Sequence, residues 1–355
     1  MRHSTRQIKL GNLAVGGAAP VSVQSMCNTD TRDVAATLRQ IEALASAGCE
    51  IVRCAVPDQA AAAALAEISK GCTLPLIADI HFDYRLALTA VVNGVAGLRL
   101  NPGNIGAAWK VKEVVTACAE RGVPIRIGVN AGSLEPELLR KYGHPTAAAM
   151  VESALGHVRI LEDLGFYEIK ISMKASDIAR TVDAYRMLAR QVDYPLHIGI
   201  TEAGTTWGGT IKSAIGIGAL LYDGIGDTLR VSLTGDPVEE VKVGWEILKC
   251  LRLRERGPMF ISCPTCGRCQ IDLIATAEEV EQRLQNLPLP LTIAVMGCVV
   301  NGPGEAREAD LGIAGGQGQG ILFKQGEVVR KVPQAELADA LVEEAWRLVE
   351  ERGKS

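Results

Sequence analysis

The sequence predicts an α/β chain: a TIM (β/α)8 barrel followed by a small α+β domain. Three observations carry this. Between residues 20 and 250, eight short apolar or β-branched runs alternate with stretches of helical apolar spacing, and most strand starts lie 21 to 32 residues apart. That interval is the length of a strand, a helix and two loops, and eight such units are what a closed barrel needs. The composition is 48% hydrophobic but only 4% aromatic, with 37 glycines, which suits tightly packed α/β layers better than a β-sandwich. Beyond residue 258 the alternation stops and a different pattern begins.

The barrel strands are expected, in order, at 21–26, 50–56, 76–82, 97–103, 125–132, 168–174, 196–204 and 228–234. Helical spacing is clearest over 34–48 and 238–251, where apolar residues recur every three or four positions. The interval after the fifth strand is 43 residues, with room for an extra helical turn around GSLEPELLRKYG. Residues 1–250 thus form the barrel, and the charged segment 251–258, ending in Gly-Pro, is a linker. Residues 259–355 form the second domain. It is expected to hold the strand MFIS, a helix over 270–286, the strand LTIAVMGC, short strands at LGIAG and GILFK, and a final amphipathic helix over 334–352. GGQGQG (315–320) lies between two strands and has no following Lys-Ser/Thr, so it reads as a turn and not a phosphate cradle.

Charge narrows the function. With 37 basic and 41 acidic residues the formal net charge is −4, so no basic excess exists to neutralise a nucleic acid backbone. No run of about 18 strongly apolar residues offers a membrane span. The N-terminal MRHSTRQIKLGN has no secretory apolar core, and a cytoplasmic location is expected.

Two anomalies bear chemistry. Strands of a parallel sheet covered by helices should be nearly continuous apolar runs. Here Arg53, Arg99, Arg126, Lys170 and Arg230 interrupt five of the eight. Unpaired buried charge is costly, so these cations are paired, lie near the mouth, or bind an anion. The functional reading is an electropositive cup at the C-terminal end of the barrel, suited to a ligand with more than one phosphoryl group. Asp79 and His81 in ADIHF, Asn101, Asn130, Lys174, Glu202 in ITEAG and Ser232 stand at the strand ends around it. His157 lies in a helical stretch with no partner evident from sequence.

The second anomaly is cysteine spacing. Cys27, Cys49, Cys54, Cys72, Cys118 and Cys250 are scattered and read mostly as small buried hydrophobes. Cys263, Cys266 and Cys269 stand at two-residue spacing in CPTCGRC, with Cys298 further on. In a reducing compartment this points to a metal centre, either a closed zinc site or an iron–sulfur cluster.

At SCPTC (262–266) and GCVVNGPGEA (297–306) the sequence resembles the bacterial 4-hydroxy-3-methylbut-2-enyl diphosphate synthases of the non-mevalonate isoprenoid pathway. VQSMCNTDT, IVRCAVP, ADIHFDYRLA, LRLNPGN, RIGVNAGSL, KISMKASD and GITEAG resemble further blocks of that family in the same order. The resemblance implies a second domain of ferredoxin-like or sulfite-reductase-like type carrying a 4Fe-4S cluster. The implied activity is reductive ring opening of 2-C-methyl-D-erythritol 2,4-cyclodiphosphate, with electrons from reduced flavodoxin or ferredoxin. It further implies cluster ligands at Cys263, Cys266, Cys298 and Glu305, leaving Cys269 as an additional cysteine. Substrate-binding residues are implied at Arg53, Arg99, Arg126, Asn130 and Lys170, and with Asp79, Arg230 and Ser232 in corresponding blocks. Glu305, Glu202 and His81 are the implied catalytic groups, and a head-to-tail homodimer is the implied assembly.

Overall fold

The computed structural model describes residues 2–298 and 306–352. The chain divides between Arg254 and Glu255 into two compact units. The first begins with an antiparallel hairpin, β1 (Ile8–Leu10) and β2 (Leu13–Val15), that the sequence analysis did not anticipate. Each strand is only three residues long, too short for alternation to be read.

Eight parallel strands follow: β3 (Ser22–Met26), β4 (Ile51–Ala55), β5 (Leu76–Asp79), β6 (Gly97–Arg99), β7 (Ile125–Asn130), β8 (Ile169–Lys174), β9 (His197–Ile198) and β10 (Thr228–Leu229). They run in the order β8-β7-β6-β5-β4-β3-β10-β9. The two ends meet through a parallel bridge between Ile171 and Leu196, where the Ile171 N–H donates to Pro195 O at 2.9 Å. The ring of eight β/α units therefore closes as the intervals predicted. β9 and β10 are shorter than expected. One more ladder bond, Arg230 N–H to Ile198 O at 3.0 Å, extends their pairing before the chain enters the mouth loops.

Helices fill the crossovers and pack their apolar faces on the outside of the ring. The helix Val34–Ala47 shows how local sequence sets the ends: Asp33 accepts the Ala36 N–H, and Gly48 takes the left-handed conformation past the last turn. The long fifth interval holds the short helix Pro136–Tyr142 ahead of Ala147–Glu162. At the N-terminal end of the barrel, Ile8, Leu10 and Val15 of the hairpin pack on Ile51 and Ile77, among the first two residues of β4 and β5. The hairpin is thus a floor, and the opposite end is free for loops.

The barrel keeps control of the first half of the expected linker. Arg254 pairs with Glu50 at 3.1 Å, donates to Val21 O at 2.8 Å and stacks on the Trp245 ring.

The second unit is a five-stranded sheet of β11 (Met259–Ser262), β12 (Thr292–Met296), β13 (Leu311–Ala314), β14 (Gln319–Lys324) and β15 (Glu327–Pro333), in that order. β11, β12 and β13 are parallel, and the last two pairings are antiparallel. Helices Leu273–Leu284 and Leu337–Arg352 cover one face over Leu291, Ile293, Leu311 and Leu322. β15 leaves no pattern in the sequence, because only Val332 of its seven residues is buried.

Candidate active site

Strand register explains how the barrel interior is built. One line of paired residues runs Asp79–Arg99–Arg126–Lys170 across β5 to β8. Asp79 and Arg99 are the last residues of their strands, whereas Arg126 and Lys170 are the second of theirs. Because barrel strands tilt, a line of equal register descends along the axis. It starts at the mouth and ends near the floor. Lys170 accordingly lines a small cavity above the hairpin, with Ile8, Leu10, Gln24, Ile77 and Arg126. Lys174, four residues on and paired with Asn130, is the inward-facing lysine of β8 at the mouth.

Two carboxylates serve the cations. Asp79 lies 3.3 Å from Arg99 Nη1, 3.7 Å from Arg53 Nε and 3.7 Å from His81 Nε2. Glu240, on the helix Pro237–Cys250, lies 3.3 Å from Arg230 Nη2, and accepts from the Leu233 N–H and the Ser25 hydroxyl. Arg99 also donates to Gly128 O, and Asn101 grips the same residue from both sides, donating to its carbonyl and accepting its N–H. A Cβ on Gly128 would lie 2.6 Å from Arg99 Nε, so glycine provides the space this guanidinium occupies.

Six buried or half-buried cations, Arg53, Arg99, Arg126, Lys170, Lys174 and Arg230, thus outnumber the nearby carboxylates among the described residues, Asp79, Glu240 and, acting on Lys170 from a distance, the Arg2-paired Asp227. Arg126 Nε and Nη1, Arg230 Nε and Lys170 Nζ have no hydrogen-bond partner among the described residues. Burial pulls Lys170 down to about 7, aided by the Arg126 charge, and pulls Arg53 down to about 10 against the attraction of Asp79. Arg126 and Lys174 are lowered by the same two causes, burial and neighbouring cations. Asp79 goes the other way: burial would raise its carboxyl, but Arg53, the His81 hydrogen bond, Arg99 and Arg126 together hold it far below the carboxylate range. A dianion or trianion in the mouth would relieve this surplus of positive charge.

His81 is exposed at the mouth beside Asp79. Glu202 is exposed and holds a positive φ of 52°, a backbone state that costs a non-glycine residue free energy and recurs at functional sites. Asn130 and Ser232 are half-buried near the strand ends. Sequence reading missed His197, which is fully buried on β9 with Nε2 3.4 Å from Lys174 Nζ and Nδ1 2.7 Å from Thr228 Oγ1. Burial, then the Lys174 and Arg126 charges, keep it neutral. A polar residue inside an apolar strand was the available signal, the same one that exposed the arginines.

In the second unit, Cys263 and Cys298 follow the C-terminal ends of the neighbouring parallel strands β11 and β12. Cys263 Sγ accepts the Gly297 N–H at 3.2 Å, and Cys298 is buried next to that glycine. Cys266 is exposed on the following turn. Cys269 turns back on its own loop, its thiol donating to Ile271 O at 3.2 Å. Sulfur donors on two adjacent loops, with a backbone N–H aimed at one of them, are suited to a soft metal centre. Among the described residues no three metal-ligating side chains are drawn together around one point. Glu305 lies outside the described residues. Of the scattered cysteines, Cys27, Cys49, Cys54 and Cys118 are buried, but Cys250 is exposed at the end of its helix, against expectation.

Comparison with known proteins agrees over the whole chain. The GcpE TIM-barrel domain matches residues 5–245, and the GcpE protein C-terminal domain matches residues 259–347. A 4-hydroxy-3-methylbut-2-en-1-yl diphosphate synthase (flavodoxin) from Geobacter sulfurreducens is 70% identical, over 99% of this chain and 100% of its own. The one from Symbiobacterium thermophilum is 62% identical over 96% of this chain and 92% of its own. Among solved structures, dihydropteroate synthase from Stenotrophomonas maltophilia superposes with a TM-score of 0.50 at 13% identity, covering 70% of this chain and 97% of that one. That likeness concerns the fold alone. No helix among the described residues is long and apolar enough to cross a membrane.

Proposed function

The chain belongs to the GcpE family, and from that premise we propose how its residues serve the family's chemistry. Its activity is the reductive formation of 4-hydroxy-3-methylbut-2-enyl diphosphate in isoprenoid biosynthesis, an oxidoreductase reaction. The substrate, 2-C-methyl-D-erythritol 2,4-cyclodiphosphate, takes up two electrons, its carbon–oxygen bond to one phosphate breaks, and a hydroxyl leaves as water with a proton.

The observation that carries the reading is the surplus of cations over carboxylates in the barrel. In the proposal Arg53, Arg99, Arg126, Arg230 and Lys174 hold the diphosphate, with Asn130 and Ser232 as neutral hydrogen-bonding groups. Lys170 supports this from below by its charge. Asp79 orients Arg53 and Arg99. His81, exposed beside Asp79, is placed to give the proton to the departing hydroxyl, and Glu202 is the second acid–base candidate.

Enzymes of this family are iron–sulfur proteins, and the thiol donors past the C-terminal ends of β11 and β12 fit such a group. We assign Cys263, Cys266, Cys298 and Glu305 to a 4Fe-4S cluster, which would pass electrons one at a time from reduced flavodoxin. A cytoplasmic setting suits this reading, because thiols stay reduced there. The assembly we infer is a head-to-tail homodimer.

Anaerobic incubation with the cyclodiphosphate and reduced flavodoxin should yield the linear diphosphate. Cys263→Ser, Cys266→Ser and Cys298→Ser should lose the brown cluster absorbance, since a hydroxyl is a far poorer iron ligand than a thiolate. Cys269→Ser should remain brown and active, and loss of colour in that variant would make Cys269 the fourth ligand in place of Glu305.

A further inference from the structure

We propose that His157 is a positioning residue that fixes the spacing between the two mouth loops following Asn101 and Asn130. The proposal rests on the mouth being the diphosphate site.

His157 lies on the helix Ala147–Glu162 and is 5% exposed. Its Nδ1 accepts the backbone N–H of Gly103 at 3.3 Å, and its Nε2 lies 3.1 Å from Glu135 Oε1. Ser153, one turn earlier on the same helix, donates to that same carboxylate oxygen at 3.0 Å. The network assigns the tautomer: Nδ1 must be bare to accept, so Nε2 carries the proton and donates to Glu135. Burial, opposed by Glu135, draws the imidazole below its usual range and favours this neutral form.

Each end of the bridge is fastened to the site. Gly103 stands two residues beyond Asn101, whose amide makes two hydrogen bonds with Gly128, and Gly128 O also receives Arg99. Glu135 stands five residues beyond Asn130, at the end of the turn Ala131–Ser133 and Leu134. The Gly103 backbone lies close against the ring edge, since a Cβ there would come within 2.7 Å of His157 Cε1. The imidazole therefore joins the loop after β6 to the loop after β7 through two directed bonds, without itself facing the mouth. Its side chain would act on substrate only through Arg99, Asn101 and Asn130.

Two substitutions separate the halves of the bridge. In His157→Asn the amide oxygen stands near the place of Nδ1 and keeps an acceptor for Gly103. In His157→Gln the amide nitrogen stands near the place of Nε2 and keeps the donor to Glu135. Cyclodiphosphate affinity is measured at equilibrium on the cluster-loaded enzyme, alongside turnover at saturation and thermal midpoint. Loss of either end of the bridge should weaken binding about tenfold, in His157→Gln and His157→Asn alike, with saturated turnover and thermal midpoint little changed in both. Gly103→Ala, which pushes the loop off the ring, should resemble His157→Gln. Unchanged affinity in His157→Gln and Gly103→Ala overturns the proposal, as does a loss in His157→Asn and His157→Gln that tracks the thermal midpoint. A parent enzyme that fails to bind the cyclodiphosphate removes the functional reading itself, a result distinct from either.

Discussion

Lys170 shows what a single buried charge does in this barrel. Its ammonium lies near the floor with no hydrogen-bond partner among the described residues, and burial together with Arg126 brings its titration down to about 7. An unfolded lysine titrates near 10.4. Below about pH 7 both states are protonated and the folded state bears the full cost of the charge. Between about 7 and 10 the folded protein releases a proton that the unfolded chain keeps, so stability rises by at most about 1.4 kcal/mol per pH unit from this group. Urea unfolding should find Lys170→Met more stable than the parent at pH 7, with the gain shrinking by pH 9.5; a gain that grows with pH would refute the assignment. The arginines were legible in the sequence because a charge inside a doubly covered strand breaks the apolar pattern. Their heights were not. Lys170 and Lys174 share a face of β8, and only the register across β5 to β8 separates floor from mouth.

Single elements carry the site through glycine as much as through charge. β7 supplies Arg126 and Asn130, and between them Gly128 leaves the volume that the Arg99 side chain fills. Gly128→Ala should displace that guanidinium, which is the far end of a flexible side chain. The expected result is a cyclodiphosphate affinity lower by about tenfold, the worth of one charged hydrogen bond, with little change in thermal midpoint. A large stability loss at unchanged affinity would show that the glycine serves packing alone. The long helices were readable from their period, as over Val34–Ala47. The hairpin β1–β2 and the strand β15 were not, since three-residue strands and a strand with one buried residue leave no period to detect. Glu240 was missed because it looks ordinary in its own helix and becomes part of the site only where elements meet, whereas His197 carried the same signal as the arginines, a polar residue inside an apolar strand.

Across the whole molecule, the eight-unit rhythm and the change of pattern after residue 258 announced two units, and the chain is indeed built as a barrel and a separate five-stranded sheet. Spacing also marked the cysteine loop, while the choice between zinc and iron–sulfur came only with family membership. The account rests on one claim, that the cation surplus of the barrel exists to hold a diphosphate. The most direct measurement is equilibrium binding of the cyclodiphosphate to Arg126→Ala, whose parent side chain has two buried nitrogens without hydrogen-bond partners among the described residues. Visible absorbance is recorded on the same samples. Affinity should fall about 10- to 150-fold, the worth of a charged hydrogen bond to phosphate, with the cluster absorbance unchanged. Binding equal to the parent's, in a folded and fully coloured variant, would contradict the account.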